Sequence, residues 1–127
     1  MLDMHYWEKA SAFHGHKCPG LAIGFKAVEG AIAELGLSDD DLPAVDEEIV
    51  CVTENDACGV DAVQYLLGCT FGKSNLIARV RGKMAFSFFV RGTDKRVRLV
   101  LKADCGAGLD RAAYQEYLLS TPYDQLY

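Results

Sequence analysis

The chain has 127 residues, half of them apolar, and a net charge of −5, enough for one domain that buries roughly two-thirds of the surface its unfolded chain exposes. No apolar run approaches the ~20 residues of a membrane-spanning helix. Its five cysteines, odd in number and irregularly spaced, do not make a disulfide framework. The first residues lack the basic start, apolar middle and cleavage site of a secretory signal, so the expected location is the cytoplasm.

In chain order, His5, Tyr6 and Trp7 fall on a short first helix, where packing accounts for the histidine. Next comes "FHGHKCPGL", residues 13 to 21, which places two of the three histidines beside a cysteine, a proline and a glycine. Leu21, Phe25, Val28, Ile32 and Leu35 then recur at steps of four and three, which predicts a helix from Pro19 to Leu35 ended by Gly36. Gly20, Gly24, Ala27 and Ala31 form a second, small-residue strip along it that lets another backbone approach closely. Ser38 to Glu48 reads as an acidic loop around Pro43, and "EIVCVTE", residues 48 to 54, as an internal strand.

"NDACGVDAVQYLLG" follows as a helix capped by Asn55 or Asp56, striped by Val60, Val63 and Leu67 and ended by Gly68. From Asn75 the period changes to two: "NLIARV" supplies a strand, and Phe86–Val90 and Val97–Leu101 flank the turn "RGTDKR". A final helix, "LDRAAYQEYLL", stops before Pro122. Helices segregated before and after a mainly antiparallel sheet, and packed against it, argue α+β in a single domain over residues 1–127.

Eight of the thirteen Lys and Arg lie between Arg79 and Lys102. No nucleic-acid motif accompanies them and the overall balance is acidic, so nucleic acid is not an expected partner, whereas a small anionic substrate is compatible. "GCTFGKS", residues 68 to 74, falls one residue short of a phosphate-binding P-loop and has helix and strand in reversed order. Lys73 and the Gly72 turn keep anion contact as a role.

Proline suits the first turn of a helix, so Pro19 places Cys18 at the helix start with His14 and His16 leading in. An extended approach would project His14, His16 and Cys18 to one side. The helix start favours an anion there and biases Cys18 toward thiolate, and Cys58 has the same relation to its own helix. Imidazole with thiolate suits Zn(II), with Fe(II) or Ni(II) as alternatives. The expected ligands are His16, Cys18 and Cys58, with His14 as a further one. Asp56 and Asp61 are candidates for an additional ligand or an acid–base group, against the plainer readings of capping and exposure. Cys51 and Cys69 read as core residues, and Cys105 as a loop thiol without a role.

Three segments in this order, "FHGHKCPGLAIGFKA", "ENDACGVDAVQYLLGCTFGKSNL" and "GKMAFSFFVR", closely resemble the FmdE family of formylmethanofuran dehydrogenase proteins over about residues 8 to 103. The resemblance implies an α+β core that pairs as a homodimer, with a cleft holding His14, His16, Cys18 and Cys58. It also implies partners among the components of molybdenum or tungsten enzymes. Longer members carry a C-terminal zinc finger of CxxC pairs, a pattern not found in these residues, so a short, core-only member is expected.

The first functional reading is therefore a metal-binding accessory protein or small enzyme of one-carbon or molybdoenzyme metabolism. If it is catalytic, Cys18 is a candidate catalytic residue, and Asp56, Asp61 and Lys73 are the candidates for proton handling or anion contact. A thiol redox protein using Cys18 and Cys58, or a non-enzymatic interaction component of a larger complex, are the alternatives.

Overall fold

The computed structural model describes residues 1–127. Its elements are α1 (Met4–His14), α2 (Pro19–Leu35), β1 (Ile49–Thr53), α3 (Gly59–Leu67), β2 (Leu76–Ala78), β3 (Ala85–Val90), β4 (Arg96–Val100), α4 (Arg111–Ser120) and α5 (Tyr123–Leu126). A 3-10 turn at Asp39–Asp41 interrupts the acidic loop. No helix is long and apolar enough to cross a membrane.

Helix α2 has the predicted bounds and is the axis of the fold. Cys18 is its N-cap, Pro19 stands in its first turn, and Gly36 closes it in the left-handed conformation at φ 66°. It touches every other helix and lies against β3 and β4. Being enclosed on so many sides, it buries even Lys26 and Glu29, which form an ion pair one turn apart.

The sheet order is β2-β1-β3-β4. Two of its three pairings are antiparallel, but β1 and β2 run parallel, so the sheet is mixed and the helices are not wholly segregated from it. The reason is the connection: α3 links β1 to β2 as a crossover that returns the chain in the same direction, which a hairpin cannot do. Period-two burial holds elsewhere. Cys51 opposes Phe88 and Thr53 opposes Phe86, all buried, while Phe89 and Arg96 oppose each other on the outer face.

The contact that positions the site is between α2 and α3. A methyl carbon placed on Gly24 would lie 2.0 Å from the carbonyl oxygen of Gly59, and one on Gly59 would lie 2.9 Å from that of Gly20. The predicted small-residue strip is thus the seat of another helix start, and only glycine fits at the closest point. Backbones in contact here bring the residues that precede each helix together.

Candidate metal centre

The entry to α2 converges by a different route from the extended one expected. His14 is the last residue of α1, and Gly15 closes that helix at φ 103°, a left-handed geometry that reverses the chain within a residue. His16 follows with its ring centroid 4.4 Å from that of His14. Cys18, extended at φ −153°, accepts the Leu21 N–H on its sulfur at 3.3 Å. The thiol therefore takes the place of a serine or aspartate cap.

Cys58 occupies the N-cap position of α3, but with helical backbone angles and no capping bond from its side chain. Neither Asn55 nor Asp56 caps the helix itself. The Asn55 side-chain oxygen accepts the Ala57 N–H at 3.0 Å in the preceding turn, and Asp56 is exposed. The glycine crossing sets the Cys58 Cβ where it would stand 3.2 Å from a methyl on Gly20, beside the sulfur of Cys18. Burial, and then the Cys18 thiol, push the Cys58 thiol up, which is contrary to the thiolate bias expected of its helix start.

One potential ligand atom each from His14, His16, Cys18 and Cys58 lies within 4.8 Å of the others. A tetrahedral zinc shell of nitrogen and sulfur separates neighbouring ligand atoms by about 3.4–3.8 Å. His14 Nε2 and Cys18 Sγ are already 3.9 Å apart. The residues fit a divalent cation in chemistry and spacing. They are not equivalent, however: Cys18 is buried, His14 and Cys58 are partly buried, and His16 is exposed. Of the two histidines, His14 is the more enclosed.

Asp56, Asp61 and Lys73 are outside this group of four. The Asp61 carboxylate instead meets His14 Nδ1 at 2.6 Å and accepts a hydrogen bond from the Gln64 amide at 2.8 Å. Lys73 donates to the backbone carbonyls of Val45 and Asp46, both at 3.3 Å, which ties the turn after α3 to the acidic loop. Gln64 is not among the residues expected from the sequence, although its position three residues after Asp61 on a helix is a readable signal.

A cavity of about 200 Å³ opens at the carboxyl ends of β1 and β2, with Thr53, Asn55, Asp56, Val60, Asp61 and Gln64 in its wall; Asp61 joins it to His14, and none of the four ligand candidates lines it. Cys51 and Cys69 are buried and free, and burial pushes the Cys69 thiol up to about 12. Cys105 is free and half-buried after β4. The third histidine, His5, is exposed beside Asp3 at the start of α1.

Fold and site together define a single α+β domain with a His/Cys cluster of metal-ligand type at the crossing of two helix starts. The chain belongs to the FmdE family: the family model described as "FmdE, Molybdenum formylmethanofuran dehydrogenase operon" matches residues 13–121. It is similar to a probable S-adenosyl-L-methionine-binding protein of Archaeoglobus fulgidus, at 36% identity over 96 residues, which is 76% of this chain and 26% of the relative. It is also similar to the crystal structure of a tungsten formylmethanofuran dehydrogenase FmdE-like protein from Syntrophus aciditrophicus. There the identity is 32% and the TM-score 0.64, covering 81% of this chain and 52% of that one. The chain therefore spans about a quarter of the curated relative and about half of the solved chain.

Proposed function

We propose that the protein is a metal-binding FmdE-type domain in which His14, Cys18 and Cys58 hold one divalent ion, with His16 as the exchangeable fourth donor. Zn(II) suits this donor set best, and Fe(II) or Ni(II) are the alternatives. Its role is that of an accessory protein or small enzyme linked to formylmethanofuran dehydrogenase or related one-carbon or molybdoenzyme metabolism. The observation that carries the reading is the convergence of four ligand atoms, drawn from the entry to α2 and the entry to α3, within 4.8 Å.

His16 decides the kind of site. Four protein ligands close a tetrahedral shell, as in structural centres, whereas three leave a position for substrate. His16 is the exposed donor, so it is the one that can leave. A bound cation of this kind supplies Lewis acidity toward an oxygen-bearing substrate. The chain's own part is to keep water from Cys18, which is 3% exposed, and to offer a small molecule the cavity that Asp61 lines.

Elemental analysis of protein purified without added metal tests this directly. About one equivalent of zinc, iron or nickel per chain is expected, lost in Cys18→Ser and Cys58→Ser and kept in His16→Ala. A metal content unchanged in both cysteine variants would refute the centre.

The adjacency of two free thiols favours a second reading, a thiol redox pair. In that reading an external disulfide or peroxide takes two electrons as Cys18 and Cys58 lose two protons and join. Thiol counting separates the two. Protection of both cysteines that a chelator releases supports the metal, and protection that only a reductant releases supports the disulfide.

A further inference from the structure

We infer that Asp61, held by Gln64, is the positioning residue that fixes the orientation and tautomer of His14 so that Nε2 faces the cysteine sulfurs. The inference rests on the metal-binding reading of the cluster and assigns Asp61 neither ligand nor acid–base chemistry.

The argument is one of donors and acceptors. Asp61 Oδ2 lies 2.6 Å from His14 Nδ1, and an ionised carboxylate only accepts, so Nδ1 must carry the proton. A neutral imidazole with hydrogen on Nδ1 has its lone pair on Nε2. That nitrogen is the one 3.9 Å from Cys18 Sγ. The same hydrogen bond sets both which nitrogen is free and where it points.

Asp61 is itself fixed. Its other oxygen accepts from Gln64 Nε2 at 2.8 Å, one turn along α3, so both members of the pair ride on the helix that also positions Cys58. His14 comes from α1, which packs against α3. The chain Gln64, Asp61, His14 thus locks the end of α1 to the start of α3 by hydrogen bonds, while the glycine crossing locks α2 to α3 by contact. A histidine ligand whose second nitrogen donates to a carboxylate is the usual way such a ring is oriented, and losing the carboxylate typically costs about 10- to 100-fold in metal affinity.

The test uses the full chain with Co(II) as a spectroscopic probe and long-range proton–nitrogen NMR to read the tautomer of neutral His14 in the metal-free protein. Wild type should show hydrogen on Nδ1. Asp61→Ala should move the hydrogen toward Nε2, the form a free histidine prefers, and weaken Co(II) binding about 10- to 100-fold. Asp61→Asn, which keeps an acceptor oxygen, should restore part of both. Weaker binding with an unchanged tautomer, or a changed tautomer with wild-type binding, overturns the inference.

Should Asp61→Ala fail to fold, Gln64→Leu carries the test. It keeps the carboxylate and removes its anchor, and should broaden the His14 signals and lower affinity severalfold, whereas wild-type signals and affinity would again overturn the inference. If wild-type protein binds no Co(II), the metal reading fails by itself. The tautomer comparison between wild type and Asp61→Ala still decides whether Asp61 orients His14.

Discussion

Two regions of this molecule bring distant residues together by opposite means. At the crossing of α2 and α3, contact depends on side chains that are missing: Gly20, Gly24 and Gly59 let backbones touch, and the cysteines ahead of each helix meet as a result. In the sheet, contact depends on side chains that are present, including the Phe86 and Phe88 rings, 6.4 Å apart, and the Arg98–Glu54 pair at 2.8 and 3.0 Å. The difference predicts how each region fails. A backbone contact cannot rearrange to accept an added carbon, whereas a pair of side chains can lose one member and re-solvate.

The largest effect should therefore come from the smallest change at the crossing. Gly24→Ala puts a methyl 2.0 Å from the Gly59 carbonyl, where no flexible side chain can yield, so the helices must separate. A destabilisation of about 3 kcal/mol is expected, the upper part of the usual overpacking range, even though alanine is the better helix former. Metal content should fall with it, because separation carries Cys58 away from Cys18. Thermal melts and elemental analysis of Gly24→Ala against Ala27→Gly check this. A Gly24→Ala protein that melts with wild type and retains its metal would show that the crossing is not the constraint described.

Within the crossing, the two cysteines sharpen the comparison. Both serine variants should lose metal, but their metal-free stabilities should differ. Cys18 caps α2 through its sulfur, and serine is a better cap than a thiol, so Cys18→Ser should keep or raise the stability of the metal-free protein by about 0.5–1 kcal/mol. Cys58 makes no cap bond, since its helical backbone angles turn the side chain away from the first amides, so Cys58→Ser has no such gain. Denaturant unfolding in chelator reads this difference. Equal shifts in the two variants would remove the distinction between a sulfur held by its helix and one held by the crossing.

Much of the crossing is legible in the sequence, though for uneven reasons. The bounds of α2 follow from Pro19, Gly36 and the apolar stripe between them, since capping is local chemistry. The strip of Gly20 and Gly24 announces a close neighbour, but its partner, Gly59, lies beyond a strand and is identified only by the crossover. Residue type together with position at two helix starts picks out the four ligand candidates, yet the convergence of His14 arises from a helix end and a left-handed glycine rather than from strand alternation. Asp61 stands out in the sequence without its role, because its partner is 47 residues away and only the packing of α1 on α3 joins them. Parallel pairing of β1 and β2 is hidden for a related reason: a short apolar strand carries no mark of its neighbour's direction.

The sheet supplies the smallest expected effect and the contrasting arm. Glu54 is mostly buried at the end of β1, and Arg98 is half exposed on β4, so their paired hydrogen bonds cross the outer face where water competes. Hydrogen bonding to Arg98, first, and then the nearby positive charges hold the Glu54 carboxyl below its ordinary value of 4.5. A carboxyl with a depressed folded-state pKa adds stability that is fully present above that ordinary value and is lost as pH falls through the folded one. Glu54→Gln should thus be slightly less stable than wild type near neutrality, and the gap should close only below about pH 4.5. Melts across an acid series measure it, with added salt narrowing the gap at neutral pH. Because the pair belongs to the sheet and not to the crossing, metal content should stay at the wild-type level. Loss of metal in Glu54→Gln would mean that the two regions are coupled and that the site depends on the sheet's side chains as well as on the glycines.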